Sequence, residues 1–338
     1  RLDGQFRPNV VIQVKNGAID FMPREPFHPL FGGMKQTPVI AEIQATQEYL
    51  GQAKHLVYLG TMWKEFLDAD THAYGPGSTV GKVMAGKAAK SQPGARITGM
   101  VSVTNPGLDI NWCGHHFSQS NWYAFGRLAW NPELPAEQIA DEWTRMTLTN
   151  DDKTVAIIRA MMMSSRETFV NYTMPLGLHH LIGGDHYAPQ PGNSRASRAD
   201  WTATYYHKAS EEGIGYDRTK RGDRAVEQYH PPVCDLFDAI NTCPEMFLLW
   251  FHRCAWDHRM KSGKILWDEL CAKYQLGAEQ AAELQKTWQS LTGKIDARRH
   301  KEVADRLVIQ VADAAKWRDQ ILQYFAGFSK RPIPPAGG

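Results

Sequence analysis

Two strand-like segments near the start of the chain, residues 10–15 and 39–48, restrict the possible folds most strongly. Each is short and rich in β-branched residues, and residues 16–38 separate them. A connection of this length is typical of a crossover between parallel strands, whereas a tight hairpin joins its strands through only a few residues. The pattern therefore predicts βα units and a parallel sheet.

Two later segments, residues 97–104 and 121–130, are also predicted as strands, because each is rich in β-branched or aromatic residues and ends at an Asn-Pro pair. Four strands are half of a (β/α)8 barrel, which takes about 250 residues. From Pro135 onward the apolar residues recur with helical periodicity. The predicted helices are residues 135–148, 153–172, 247–260, 278–291 and 298–325, and residues 183–200 are predicted as a long loop or lid. The sequence thus predicts half a barrel over residues 1–133 and an α-helical domain over residues 134–338.

Composition excludes several classes of protein. The 38 Lys and Arg residues and 36 Asp and Glu residues give a net charge of +2, without the basic excess typical of nucleic-acid binding. No apolar run approaches the roughly 20 residues of a membrane-spanning helix, and no G-x-G-x-x-G motif indicates a dinucleotide-binding oxidoreductase. The five cysteines include no C-x-x-C pair, and the pairs His115-His116 and His179-His180 lack a metal-binding frame. We therefore expect neither a metal nor an organic cofactor.

The segment of residues 39–48 has one apolar face and one polar face. Alternate residues from Val39 onward are apolar, and the residues between them include Glu42, Gln44 and Glu48. Burying such groups costs roughly 2–7 kcal/mol each unless they are hydrogen-bonded. Two interpretations follow: an edge strand with a solvated face, or a barrel interior that becomes polar toward its C-terminal mouth, where active sites of this fold lie.

Two carboxylates and a lysine fall at the predicted ends of the first two strands. Lys15 ends the first strand, Asp20 follows it, and Glu48 ends the second. The carboxylates are separated by about the 30 residues of one βαβ unit, so we expect both to point into one cavity at the same edge of the sheet. Two carboxylates beside a cation suit acid–base chemistry on a negatively charged substrate.

Long segments of the chain resemble the α-glucuronidases of glycoside hydrolase family 67. The similar segments are VVIQVKNGAIDFMPREPFHPLFG, AEIQATQEYLGQAKHLVYLGTMWKE, VTNPGLDINWCGHHFSQSNWYAFGRLAWNP, PLGLHHLIGGDHYAP and EQYHPPVCDLFDAINTCPEMFLLWFHRCAWDHRM. The resemblance runs the length of the chain and implies the C-terminal half of those enzymes, namely the later strands of a TIM barrel followed by a helical domain. By analogy with the family, it also implies a homodimer formed through the helical domain.

The resemblance implies an inverting glycosidase that needs no metal. Its substrates would be oligosaccharides derived from glucuronoxylan, from which it would release (4-O-methyl-)glucuronic acid α-1,2-linked to the terminal xylose. Asp20 and Glu48 match the carboxylates that flank the attacking water. Lys15 matches the lysine that binds the uronate, and Trp201 matches an aromatic residue that covers the sugar. A histidine of the loop from Asp109 to His116 is expected to line the same site.

The general acid of the family, a Glu on an earlier barrel strand, has no counterpart in this sequence. An inverting glycosidase needs both this acid and a base. The chain also begins at Arg1 without a Met, so we expect a piece of a longer protein that does not by itself hydrolyse substrate at the rate of an intact enzyme. The alternative is a non-catalytic fragment that binds acidic xylooligosaccharides. Secreted and cytoplasmic locations both stay open.

Overall fold

Strands and helices occupy different parts of the chain in the computed structural model, which describes residues 2–88, 99–108 and 110–335. The structure is mixed α/β, with nearly half of these residues in helices. The strands are β1 (Ile12–Lys15), β2 (Val39–Gln44), β3 (Met100–Val103), β4 (Gly213–Ile214) and β5 (Cys254–Ala255). The α-helices are α1 (Leu30–Gly33), α2 (Gly60–Asp68), α3 (Val80–Met84), α4 (His116–Trp130), α5 (Ala136–Thr147), α6 (Asp152–Thr173), α7 (Ala203–His207), α8 (Pro231–Asp238), α9 (Leu248–Phe251), α10 (Leu266–Gln289) and α11 (Ala297–Ser329). Within the described ranges, none of these helices is long and apolar enough to span a bilayer.

The first three strands form a parallel sheet in the order β1-β2-β3. Lys15 at the end of β1 lies opposite Glu42 of β2. The apolar face of β2 is buried, with Ala41 and Ile43 at 0% exposure, as the alternation predicts. The first three predicted strands are therefore confirmed, although each is shorter than predicted, and residues 97 and 98 of the third lie outside the described ranges.

The predicted fourth strand, residues 121–130, is wrong, because these residues form the C-terminal part of α4. The N-cap residue of this helix is His115, whose Nδ1 accepts the backbone N–H of Phe117 (3.0 Å). The buried residues of the helix recur at helical spacing, but the polar Asn121 interrupts the apolar series, and the aromatic residues around it favour strands. The strand prediction relied on the strand propensity of the aromatic residues. The helix forms instead because one of its faces packs into the core.

The predicted helix over residues 247–260 is also largely wrong. Only α9 is α-helical, and the chain then enters β5, which pairs antiparallel with β4. Glycine permits this close pairing, since a Cβ on Gly213 would lie 2.1 Å from the carbonyl oxygen of Cys254. The other predicted helices are confirmed as α5, α6, α10 and α11, although α10 begins earlier than predicted, at Leu266.

The long helices α6, α10 and α11 pack against one another. Gly277 lets α10 approach α6 closely, because a Cβ at this position would lie 2.4 Å from the backbone nitrogen of Tyr172. The buried apolar residues form one continuous cluster that extends from Val14 in β1 to Phe325 in α11. The strands and the helices therefore share a hydrophobic core.

A buried segment without regular secondary structure, residues 55–59, joins the sheet to the helices. All five residues are at most 1% exposed. Side-chain oxygens of α4, α6 and α11 accept its backbone N–H groups. The pairs are Leu56 with Gln310 (2.9 Å), Tyr58 with Ser165 (2.9 Å) and Leu59 with Asn121 (2.8 Å). Because buried backbone groups need such partners, this segment depends on the helices around it.

We expect Gln310→Leu to lower the free energy of unfolding by about 2–4 kcal/mol. The amide of Gln310 also donates to the carbonyl oxygen of Leu56 (3.3 Å), so its loss leaves two buried backbone groups unpaired, at about 1–3 kcal/mol each. Gln320→Leu, at an exposed position of the same helix, is the control and is expected to change stability by less than about 0.5 kcal/mol. Urea unfolding measures both, and equal effects would contradict the role given to Gln310.

Candidate active site

The four residues that the sequence singles out line one cavity of about 1060 Å³. They are Lys15 at the end of β1, Asp20 beyond it, Glu48 beyond β2, and Trp201 in the 3-10 helix Ala199–Trp201. The two carboxylates thus follow adjacent parallel strands and face the same space, as expected from the sequence. Trp201 reaches this space from the helical part of the chain, and 55% of its surface is exposed.

Asp20 is held by a cation and a hydroxyl group. Nζ of Lys15 forms an ion pair with Oδ1, and the hydroxyl of Tyr49 donates to Oδ2 (2.7 Å). Burial, together with the hydrogen bond to Asp20, raises the pKa of Tyr49 far above its ordinary value, so Tyr49 stays a neutral donor. The Asp20 side chain still keeps 36% of its surface exposed, which leaves the carboxylate accessible to water.

Glu48 is held by an amide and an imidazole. Nε2 of Gln44 donates to Oε2 (3.0 Å), and Nδ1 of His186 lies 2.7 Å from Oε1. The imidazole of His186 stacks on the ring of Tyr49, with 4.8 Å between ring centres. Tyr49 therefore links the two carboxylates, because its hydroxyl binds Asp20 and its ring supports the histidine that binds Glu48.

The loop that carries His186 is anchored to the helices by the next residue. The hydroxyl of Tyr187 donates to Oδ2 of Asp313 in α11, and Nε2 of His55 lies 2.9 Å from the same oxygen. The backbone of His186 has a left-handed conformation (φ 56°), which costs energy in a non-glycine residue. The predicted long loop of residues 183–200 is confirmed, and it forms one wall of the cavity.

Aromatic residues and a buried arginine form another part of the cavity wall. The ring of His180 stacks on Tyr206 (4.5 Å between centres), which in turn stacks on Trp250 (6.0 Å). Burial lowers the pKa of His180 to about 4, so this ring is neutral near pH 7. Trp250 is only 7% exposed, but it also lines the cavity, as does Arg218.

Sequence reasoning missed several residues of the cavity, namely Tyr49, His180, His186, Tyr206 and Arg218. Only Tyr49 carried a usable signal, because it directly follows Glu48. The others lie more than 130 residues further along the chain, in loops and a short helix whose approach to the strands depends on tertiary packing.

The expectation that a histidine of the loop ending at His116 lines this site is wrong. His115 and His116 line a separate groove against α11, and Nε2 of His116 lies 2.5 Å from Oε2 of Glu302. Asp109, at the start of that loop, lies outside the described ranges. Among the residues described, no cluster of three or more His, Cys, Asp or Glu side chains could hold a metal ion.

Glu25 fastens the loop that carries Asp20. Its carboxylate accepts the backbone N–H groups of Ile19 (2.5 Å) and Met22 (2.6 Å). A Cβ on Gly17 would lie 2.4 Å from Oε2 of Glu25, so the loop needs glycine at this position. Burial raises the pKa of Glu25 to about 7, and the charge of Asp20 acts in the same direction.

We expect the raised pKa of Glu25 to make the chain less stable as the pH rises. Because the folded-state pKa lies above the ordinary 4.5, the folded chain binds this proton more tightly, and the resulting stability is lost between about pH 4.5 and 7. Between pH 5 and pH 8, the free energy of unfolding should fall by about 1–3 kcal/mol more in wild type than in Glu25→Gln. Urea unfolding at both pH values measures this. The exposed Glu212→Gln is the control, and an unchanged pH dependence in Glu25→Gln would contradict the assignment.

Comparisons with known proteins identify the family of the chain. Residues 1–112 match the model of the glycosyl hydrolase family 67 middle domain, and residues 113–336 match that of the family 67 C-terminus. The chain is 39% identical to alpha-glucuronidase A of Emericella nidulans and 37% identical to alpha-glucuronidase A of Aspergillus tubingensis. Each alignment covers 100% of this chain but 39% of the relative, so the chain spans well under half the length of these proteins. The family models and the two relatives together show that the chain belongs to glycoside hydrolase family 67.

Proposed function

We propose that this chain forms part of the active site of an inverting α-glucuronidase. Its product would be (4-O-methyl-)glucuronic acid, released from an α-1,2 linkage to the terminal xylose of glucuronoxylan-derived oligosaccharides. The observation that carries the proposal is that Lys15, Asp20, Glu48 and Trp201, the residues matched to the family's site, line one cavity. The printed names of the two relatives, both alpha-glucuronidases, support the same activity.

Asp20 and Glu48 bind and activate the attacking water in this proposal. Each carboxylate is oriented by a neutral donor, Tyr49 or Gln44, and about a third of each side chain is exposed, 36% for Asp20 and 32% for Glu48. One carboxylate takes a proton from the water, while the other accepts a hydrogen bond from the O–H that the water keeps. The water oxygen bonds to the anomeric carbon as the glycosidic bond breaks, and a general acid protonates the leaving oxygen. The family resemblance assigns that acid to a strand upstream of these residues.

Lys15 and Trp201 would select the acidic sugar. The ammonium of Lys15 lies at the carboxylate end of the cavity and brings a positive charge to a substrate that carries a negative one. The largely exposed indole of Trp201 offers a flat apolar surface, which suits the apolar face of a pyranose ring. The guanidinium carbon of Arg198, which is paired with Asp200, lies 5.3 Å from the centre of this ring.

We further propose that residues 1–133 belong to a (β/α)8 TIM barrel and that residues 134–338 form a helical domain through which two copies pair. The parallel order β1-β2-β3 is that of consecutive barrel strands, and the carboxylates follow their C-terminal ends, where active sites of this fold lie. In the described ranges, β1 and β3 each pair on one side only, and further barrel strands would satisfy the other edges. Light scattering after size-exclusion chromatography measures the molar mass in solution and so tests whether two copies pair.

The hydrolytic proposal predicts that both carboxylates are essential. The assay measures hydrolysis of aldotriouronic acid by a fusion of this chain to the upstream segment of the Emericella nidulans relative. The chain alone is assayed in parallel and should be far slower. In the fusion, Asp20→Asn and Glu48→Gln should each lower kcat by about 10²- to 10⁴-fold, the usual worth of acid–base catalysis. Glu42→Gln is the matched control, because Glu42 lies on the same face of β2 as Gln44 but outside the cavity.

Full activity in Asp20→Asn and Glu48→Gln would refute the proposal. Binding of acidic xylooligosaccharides by the fusion without hydrolysis would instead favour the non-catalytic alternative. Full activity of the unfused chain would show that the general acid lies within these 338 residues.

The proposed role of Lys15 predicts selective loss of affinity for the acidic sugar. A charge-assisted contact is worth about 1.5–3 kcal/mol, so Lys15→Ala should weaken inhibition of the fusion by glucuronate about 10- to 100-fold. Inhibition by xylose, which carries no carboxylate, should change far less. Lys301→Ala, on the surface of α11, controls for a general loss of charge. Equal losses for both sugars would assign Lys15 a structural role through Asp20.

A further inference from the structure

Arg218 is a buried cation in the wall of the candidate active site. Its side chain is among the cavity-lining residues, and the residue is only 6% exposed. Its guanidinium carbon lies 3.5 Å from the ring centre of Trp250 and 4.0 Å from that of Tyr216. Nη1 donates to the carbonyl oxygen of Trp250 (2.6 Å). The aromatic rings and this hydrogen bond therefore fix the orientation of the guanidinium plane at the cavity.

The charge of Arg218 lacks a close counter-ion within the described ranges. No carboxylate among those residues forms an ion pair with it, whereas the equally buried Arg166 binds Glu65 through two nitrogens, each at 2.9 Å. Asp223, which acts on Arg218 only at longer range, is exposed and accepts the backbone N–H of Ala225. A buried charge is costly unless it is paired, and the aromatic rings and the more distant Asp223 compensate this one only in part, so an anion in the cavity would gain by contacting it.

Burial lowers the pKa of Arg218 to about 10, so the side chain stays charged near pH 7. The guanidinium has five N–H donors, and the bond to Trp250 uses one of them. The planar arrangement of the remaining donors matches a carboxylate, which can accept two parallel hydrogen bonds. Lys15, which lines the same cavity, is paired with Asp20, whereas Arg218 forms no ion pair within the described ranges.

We propose that Arg218 binds the carboxylate of an acidic sugar in this cavity, as a second cationic contact beside Lys15. The inference rests on the proposed uronate substrate and assigns part of its recognition to the helical part of the chain. Arg218 would act on affinity and on the choice between acidic and neutral sugars, and it takes no part in the bond-breaking step.

The test compares two sugars that differ mainly at one carbon. D-glucuronate has a carboxylate where D-glucose has a hydroxymethyl group, and tryptophan fluorescence reports binding because Trp201 and Trp250 line the cavity. Wild type should prefer glucuronate. Arg218→Gln should weaken glucuronate binding about 10- to 100-fold and leave glucose binding within about twofold, while Arg218→Lys loses less. Arg221→Gln, at an exposed position outside the cavity, is the matched control and should change glucuronate binding by less than about threefold.

Three outcomes would overturn the inference: wild type without a preference for glucuronate, equal losses for both sugars in Arg218→Gln, or glucuronate binding by that variant as tight as by wild type. If Arg218→Gln does not fold, phenylglyoxal labelling of wild type decides the question. Glucuronate should then protect Arg218 from labelling, as detected by peptide mass spectrometry, and glucose should not. Absence of selective protection would overturn the inference. The proposed hydrolysis is judged separately, by the dependence of the fusion on Asp20 and Glu48.

Discussion

The structure depends on one unusual requirement: residues 55–59 are buried and belong to no strand or helix, so most of their backbone groups need partners from elsewhere in the chain. Asn121, Ser165 and Gln310 meet that requirement from three different helices. The pairing is specific in direction and distance, unlike apolar contact, so it fixes where the helices lie relative to the end of β2. Glu48 lies between the end of β2 and this segment, so its position relative to the helical wall of the cavity depends on the same contacts.

The cavity combines fixed charges with neutral donors. Asp20 has a cation and a hydroxyl as partners, and Glu48 has an amide and an imidazole, so their oxygens are oriented while water retains access. Hydrogen bonds that are already in place need no rearrangement when charge develops during a reaction, which is the main advantage of a preorganised polar site. The arrangement suits carboxylates that must hold and deprotonate a water molecule.

The sequence predicted those parts of the structure that depend on local order. The alternation in β2 identified its buried face, and the spacing between Asp20 and Glu48 placed both at one edge of the sheet. Prediction failed where distant contacts decide the conformation. Residues 121–130 include aromatic residues that favour strands, but they form a helix. The side-chain amide of Asn121 in this helix hydrogen-bonds the backbone of the buried segment. The pairing of β5 with Gly213 could not be read from the apolar spacing around Trp250, and the approach of His186 to Glu48 spans 138 positions of the chain.

The adjacent residues His186 and Tyr187 face different parts of the molecule, one toward Glu48 and the other toward Asp313 in α11. This arrangement has a consequence for inheritance. A recombination event between relatives that exchanges the strands but keeps the helices would bring Glu48 from one parent together with a histidine from another. The hybrid would keep the contact between this histidine and Glu48 only if the loop occupies the same position along α11 in both parents. Substitutions in the strands and in the helices are therefore expected to accumulate in step, because both must remain compatible with the loop of residues 183–190.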